Sequence, residues 1–279
     1  MITKYSVKSI ALLSAPLLFA ISWWAMGAQE IALDSSNLTV VSVVPLTSSS
    51  IKAVVTPNAV DPSAVYSNVT GFSGQTFAQN AASGGITRMV MDDVTFTTNA
   101  GVGTVTTVRF SVANQNAVSH SVRARIRFWN ADGAALGAGL PNGPGTYYAP
   151  GGTAVGFSFN PLDYAVGVTT LTGTLPAGSF PLPAGTTTTL WAGITFDNVG
   201  TTSGATDADL DNFGQAMFGP VDLGSSTDTV FETTAAGSFF NTANPAGAAV
   251  NFGGTPVANM GWEFVVDTLP VELQKFTVD

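Results

Sequence analysis

The residues with the clearest chemical spacing are arginines. Arg123, Arg125 and Arg127 hold alternate positions between Ser121 and Trp129, and Val122, Ala124, Ile126 and Phe128 fill the positions between them. Successive side chains of a strand point to opposite faces, so this pattern predicts an apolar face for a core and a guanidinium face for another task. Guanidinium forks match carboxylate and phosphate groups at two points. Thr107 to Val112 alternates likewise, with Val108, Phe110 and Val112 on one face and Arg109 on the other. Ala113-Asn114-Gln115-Asn116 supplies turn residues for a hairpin, which would bring Arg109 beside the row. Trp129 and Trp191 fall opposite their strands' aliphatic residues, where indoles offer stacking faces. One reading is therefore a ligand face of Arg109, Arg123, Arg125, Arg127, Trp129 and Trp191 for an anionic glycan or another acidic envelope polymer. The other is internal. Like charges on one strand face lie about 7 Å apart and repel, so Glu263 and Asp267, with Asp163 or Asp197, would neutralise the row across strands. The indoles would then lie under loops or the N-terminal arm, and Tyr147 and Tyr148 would pin their loop.

A second pattern suggests a cation. Asp207, Asp209 and Asp211 alternate ahead of Asn212, as in the first half of a calcium loop where carboxylates converge on one hard ion. The EF-hand pattern then lapses, because the sixth position is Asn212 in place of Gly and the twelfth is Phe218 in place of Glu. The competing reading is an acidic first turn of a short surface helix within Thr206 to Phe218, where Leu210, Phe213, Met217 and Phe218 fall at helical spacing. Calcium is the one ion suggested, and no cofactor is expected. A Ser-His-Asp arrangement has only His120 to draw on, with no G-x-S-x-G turn. Zinc is equally poorly served by a chain with one histidine and no cysteine. A glycoside hydrolase needs only two carboxylates, for which Glu232, Glu263 and several aspartates are candidates. No spacing singles out a pair, so a carbohydrate-active enzyme stands as the alternative to a non-catalytic protein.

The elements that must position these groups read as strands. Short runs rich in Val, Ile, Thr and Phe, punctuated by Gly, Pro and Asn, recur throughout, and long helical periodicity is absent. Beyond the two runs above, strands are expected at Ile86–Phe96, Ala154–Phe159, Val168–Thr172, Thr188–Phe196 and Met260–Val266. The last places Trp262 in the core with Met260 and Phe264. The fold class is all-β, an antiparallel two-sheet sandwich of jelly-roll type with at most one short surface helix. Domain boundaries follow: a leader over 1–28, an N-terminal arm or leading strands over 29–62, the sandwich over 63–268 and a C-terminal strand over 269–279. In the second of these, Leu38 to Val44 and Ile51 to Val55 are the strand-like stretches.

The leader is a signal peptide by pattern, with Lys4 and Lys8 before an apolar run from Ile10 to Ala25 and small residues Gly27 and Ala28 at the expected cut. Its removal leaves seven basic side chains against eighteen acidic ones, a net charge of −11. That balance disfavours a nucleic-acid partner, and no membrane span is expected after cleavage. Charged residues make up 10% of the chain, so Thr, Ser, Asn and Gly must form the solvated face. Without cysteine, stability must come from the core.

The span from about Val65 to Val266 resembles a loose group of secreted bacterial proteins that display a β-sandwich at or beyond the cell envelope. The resemblance lies in Val65-Tyr66-Ser67-Asn68, Asp92-Asp93-Val94-Thr95-Phe96, Arg125-Ile126-Arg127-Phe128-Trp129 and Leu190-Trp191-Ala192-Gly193-Ile194-Thr195-Phe196. It implies a secreted or cell-surface sandwich and carries no enzyme signature. Leu269-Pro270-Val271-Glu272-Leu273 with Phe276 resembles the junction strand found late in many secreted bacterial proteins. Its apolar Val271, Leu273, Phe276 and Val278 suggest docking on a sheet edge, or self-association through a partner strand. The expected function is extracellular recognition of a glycan or envelope polymer, or a structural part in a surface or matrix.

Overall fold

The computed structural model describes residues 30–44, 59–80, 84–97, 103–182, 188–198, 204–233, 243–254, 257 and 259–267. The expected leader, the stretch Ile51 to Val55 and the C-terminal strand lie outside these residues. The strands begin with β1 (Ile31–Leu33), β2 (Leu38–Val44), β3 (Ala64–Ser67), β4 (Phe72–Ala78), β5 (Val90–Thr95) and β6 (Gly103–Asn114). They continue with β7 (His120–Asn130), β8 (Gly156–Phe159), β9 (Leu162–Tyr164), β10 (Gly167–Thr174), β11 (Pro181–Leu182) and β12 (Thr189–Asp197). After the four-residue helix α1 (Asp207–Leu210) come β13 (Phe213–Phe218), β14 (Thr229–Thr233), β15 (Gly247–Asn251), β16 (Asn259–Met260) and β17 (Trp262–Val266).

Two sheets pack face to face. The first runs β1-β8-β7-β12-β5-β14-β15, with β9 on the start of β7. The second runs β16-β13-β6-β10-β2, with β17 along β6, β3 beside β17, β4 beside β13 and β11 against the start of β6. Every pairing among these strands is antiparallel except β1 with β8. The core between the sheets holds the expected inward faces. Val108, Phe110 and Val112 of β6 meet Val122, Ala124, Ile126 and Phe128 of β7, Leu190, Ala192, Ile194 and Phe196 of β12, and Met260, Trp262 and Phe264. No helix among the described residues is long and apolar enough to cross a membrane.

Two expectations are corrected. First, β6 and β7 are not a hairpin, because they lie in different sheets. Asn114 holds the connection open: its amide donates to Val118 O at 3.1 Å and Tyr164 O at 2.9 Å, while its Oδ1 accepts from the Asn116 backbone at 3.0 Å. The turn-forming residues thus anchor an arch, which carries the chain across the roughly 10 Å between packed sheets. The apolar faces of β6 and β7 then cover each other, and their arginines point to opposite outer surfaces.

Second, the helix within Thr206 to Phe218 is only α1, and Phe213 to Phe218 is strand β13. A capping box at Thr206 and Asp209 starts the helix. Gly214 pairs with Ala78 so closely that a Cβ there would sit 1.9 Å from Phe77 O. Every residue of β13 is buried, which erases the alternation that marks a half-exposed strand.

Candidate functional site

The arginine row lies on the outer face of the first sheet, and acidic groups of the same chain engage it. Asp197 is the cross-strand neighbour of Arg123 and accepts from its Nε at 2.9 Å and its Nη2 at 2.8 Å. The same carboxylate reaches Arg125 Nη1 at 3.4 Å. Arg125 also donates from Nε to both oxygens of Glu30 at 3.0 Å, and its Nη2 closes a third contact with that carboxylate. Glu30 stands just ahead of β1, whose parallel pairing with β8 places it over Arg125. Arg127 is buried, with its guanidinium 5.5 Å from the Tyr147 ring centroid. Burial depresses its basicity, and Glu30 and then Tyr147 work in the other direction.

Arg109 does not join this row. It lies on the outer face of the second sheet, where Glu263 is its cross-strand neighbour and its Nη1 stands 2.8 Å from Glu263 Oε1. Glu263 is wholly buried and also accepts from Ser67 Oγ at 2.9 Å and Asp61 N at 3.1 Å. Burial pushes its carboxyl up, against the opposing pull of Arg109. Glu263 and Asp197 are thus the acidic partners among those foreseen from sequence. Asp267 instead accepts from the Thr104 backbone at 3.1 Å.

The two indoles read from sequence as candidate stacking faces are covered. Trp129 and Trp191 are cross-strand neighbours pointing outward, yet both are 0% exposed. They form a second apolar cluster with Met89, Met91 and Phe231, under the segment that returns along β7. Tyr147 lies over Trp129 with ring centroids 5.6 Å apart, and Asn142 O accepts from Trp191 Nε1 at 2.8 Å. Tyr148 pins the same loop by donating to Pro181 O at 2.6 Å. Next to this cover is a recess of about 300 Å³, lined by Leu136, Pro144, Phe231, Asn244, Pro245 and Ala249 among others, without a carboxylate.

The aspartates at α1 do not converge. Asp207 accepts from the Gly85 backbone at 2.9 Å, Asp209 closes the capping box, and Asp211 is the C-cap. Hydrogen bonds from Thr206 hold Asp209 below the usual carboxylate range. Among the described residues no group of three or more His, Asp or Glu side chains is placed to hold a metal, and Asp207, Asp209 and Asp211 each serve a separate local contact. His120 Nε2 lies 3.4 Å from Asp209 Oδ1, at the joint between β7 and α1.

Sequence reasoning missed two further buried carboxylates. Asp92 and Asp93 on β5 are 0% and 1% exposed. Asp92 points between the sheets, where Met260 N donates to it at 2.8 Å. Asp93 points outward and accepts from Thr227 N at 3.0 Å and Thr227 Oγ1 at 3.0 Å. Burial, then the charge of Asp93, pushes the Asp92 carboxyl well up, and burial raises Asp93 to about 6. Two adjacent aspartates in a predicted core strand were the available signal, since one of them had to point inward. The chain has no significant match to a protein-family model, a curated protein or a solved structure.

Proposed function

We propose that this chain is exported and that its sandwich serves as a non-catalytic structural component of an extracellular surface or matrix. One observation carries the reading: the side chains best suited to grip an acidic polymer are engaged within the fold. Arg123 and Arg125 bind Asp197 and Glu30, Arg109 binds Glu263 on the opposite surface, and Trp129 and Trp191 lie under a loop. Such charges knit strands of one chain together and leave a surface of small polar residues. The recess beside Trp191 has no carboxylate among its lining residues, which weighs against a carboxylate-pair hydrolase there. Export rests on the leader pattern. Glu30, just past the expected cut, is held by Arg125, so cleavage near Ala28 retains this contact.

Two measurements test this. N-terminal sequencing of protein recovered from the medium should begin at Ala28 or Gln29, whereas recovery only in membranes with Met1 intact defeats export. A glycan array at low salt, beside a depolymerisation assay, should be silent. Salt-sensitive binding to an anionic glycan that Arg123→Gln abolishes would restore the recognition reading.

A further inference from the structure

Exposed apolar side chains gather on β2. Among the described residues five large hydrophobic side chains are exposed, and three of them, Val40, Val41 and Val43, stand on this strand at 46%, 42% and 45% exposure. The other two, Val118 and Val250, lie apart from each other on different segments. β2 ends the second sheet: it pairs with β10 on one side, and no strand among the described residues pairs with the other. Alternate residues of a strand turn their N–H and C=O groups to opposite sides, so this edge presents a row of backbone donors and acceptors. Edges are commonly guarded by lysine, by proline or by a bulge. β2 has neither lysine nor proline, and no charged residue lies between Asp34 and Lys52.

A bulge is present, and it sets the faces. On β10, Leu171 lies in the core and Thr169 shares its face, and their partners on β2 are Val40 and Val43. The register shifts between Thr170 and Leu171, which leaves Val41 as an extra residue, so two valines of one face stand three positions apart. Both turn toward the layer between the sheets. At this edge the first sheet ends in β1 and β9, three residues each, and leaves the two valines nearly half open to water.

We propose that the β2 edge is taken by a second copy of this chain, with the two β2 strands antiparallel about a two-fold axis. An axis perpendicular to the sheet keeps inner face beside inner face, so paired residues must share a face. The register that matches one exposed inner valine with the other sets Val40 of each copy opposite Val43 of its mate, and it brings the outer Thr39 opposite the outer Val44. The two bulges then meet at the axis, between Val41 and Ser42. Charge favours a copy over another partner. Without its leader the chain carries −11, so copies repel each other except where both surfaces are uncharged, and a charged partner finds no complement on β2 or β10. The chain's own residues 45–58 have their ends elsewhere. Val44 packs with Ala113 and Val168 on the outer face of the second sheet, and Ala59 O accepts from Arg109 Nη1 at 3.1 Å on that same face. The contact requires neither export nor a matrix role.

Light scattering and sedimentation of the purified chain without its leader should show a dimer. One short strand per copy is a small contact, so dissociation should fall in the micromolar range. Val43→Lys seats a charge on the edge and should raise the dissociation constant at least roughly tenfold while the melting temperature holds. Val250→Lys, on β15, should leave it unchanged. Because the chain has no cysteine, new disulfides report the register. Side chains directly opposite have Cβ atoms about 4.5 to 5.5 Å apart, close to what a disulfide spans. Oxidising a mixture of Val40→Cys and Val43→Cys should therefore yield a cross-linked heterodimer that neither variant yields alone. A wild type that stays monomeric at millimolar concentration overturns the proposal. So does a dimer that Val43→Lys leaves intact and removal of residues 269–279 dissolves, which would assign association to the C-terminal strand.

Discussion

Replacing Arg109 by glutamine tests whether the outer-face ion pairs hold the sandwich together. Glu263 is 0% exposed, and Arg109 is the one guanidinium paired with it. Removing one member of a buried pair strands the other charge, which costs about 3 to 5 kcal/mol. Two bonds to Glu263 survive, from Ser67 Oγ and Asp61 N, so the lower end, about 3 kcal/mol, is expected. For a domain of this size that is a fall in melting temperature of about 6 to 12 °C.

The pH dependence gives the mechanism. Burial already pushes the Glu263 carboxyl above its ordinary 4.5, and Arg109 holds it back. Without Arg109 it rises further, so the folded variant keeps a proton that the unfolded chain releases. Stability of the variant should therefore fall as pH rises above the ordinary glutamate range and recover as pH drops toward it. Urea unfolding at pH 7 and pH 5 measures both, and the deficit should shrink at pH 5. Arg109→Gln with Glu263→Gln should recover most of the loss, since no charge is then stranded. A single-variant cost under about 1 kcal/mol, the scale of a solvated pair, or a deficit equal at both pH values would refute the reasoning.

Replacing Arg123, Arg125 and Arg127 together by glutamine removes both guanidinium partners of Asp197, which is 1% exposed, and should destabilise the protein by about 3 kcal/mol in urea; an unchanged midpoint would show that the row is not a structural ladder. Trp129, Trp191 and Trp262 are all 0% exposed, so the chain without its leader should show blue-shifted tryptophan emission that acrylamide barely quenches, and strong quenching would place an indole at the surface. Gly214→Ala should cost about 1 to 3 kcal/mol in urea, because the new Cβ would sit 1.9 Å from Phe77 O and β4 must move; a neutral effect would contradict that approach. Stability should decline as pH rises from 3.8 to about 6, because the folded state keeps the Asp93 proton that the unfolded chain gives up; Asp93→Asn should flatten that slope, and an equal slope in both proteins would assign the proton elsewhere.

The legible part of this fold follows from one periodicity. In β7 and β12 the period of two separates core from outer face, and the inward residues of both strands do meet in the core. Alternation identifies a face but not a sheet. Val108 and Val122 read alike whether their strands lie side by side or stacked, and the choice is made by Asn114, whose amide bridges Val118 and Tyr164 where a tight turn would leave it in solvent. Sheet assignment in turn decides the chemistry. With β6 and β7 stacked, Arg109 faces away from the other three arginines, and each group meets its acid within its own sheet, Glu263 across the β17 ladder and Asp197 across the β12 ladder. Both carboxylates were recognisable because each sits on a strand with clear alternation. Glu30 was not, since it lies just beyond a leader and no pattern ties it to a strand more than ninety residues away. The acidic pair was hidden for a related reason. Asp92 and Asp93 stand together in β5, but Ser226 comes from a loop and Asn259 from β16, 133 to 167 residues further along, which sequence spacing cannot relate. Local pattern therefore reports how each strand divides its residues, whereas the buried charges depend on contacts between strands distant in sequence. In a chain with so few charged side chains, those distant contacts are where perturbation should be felt first.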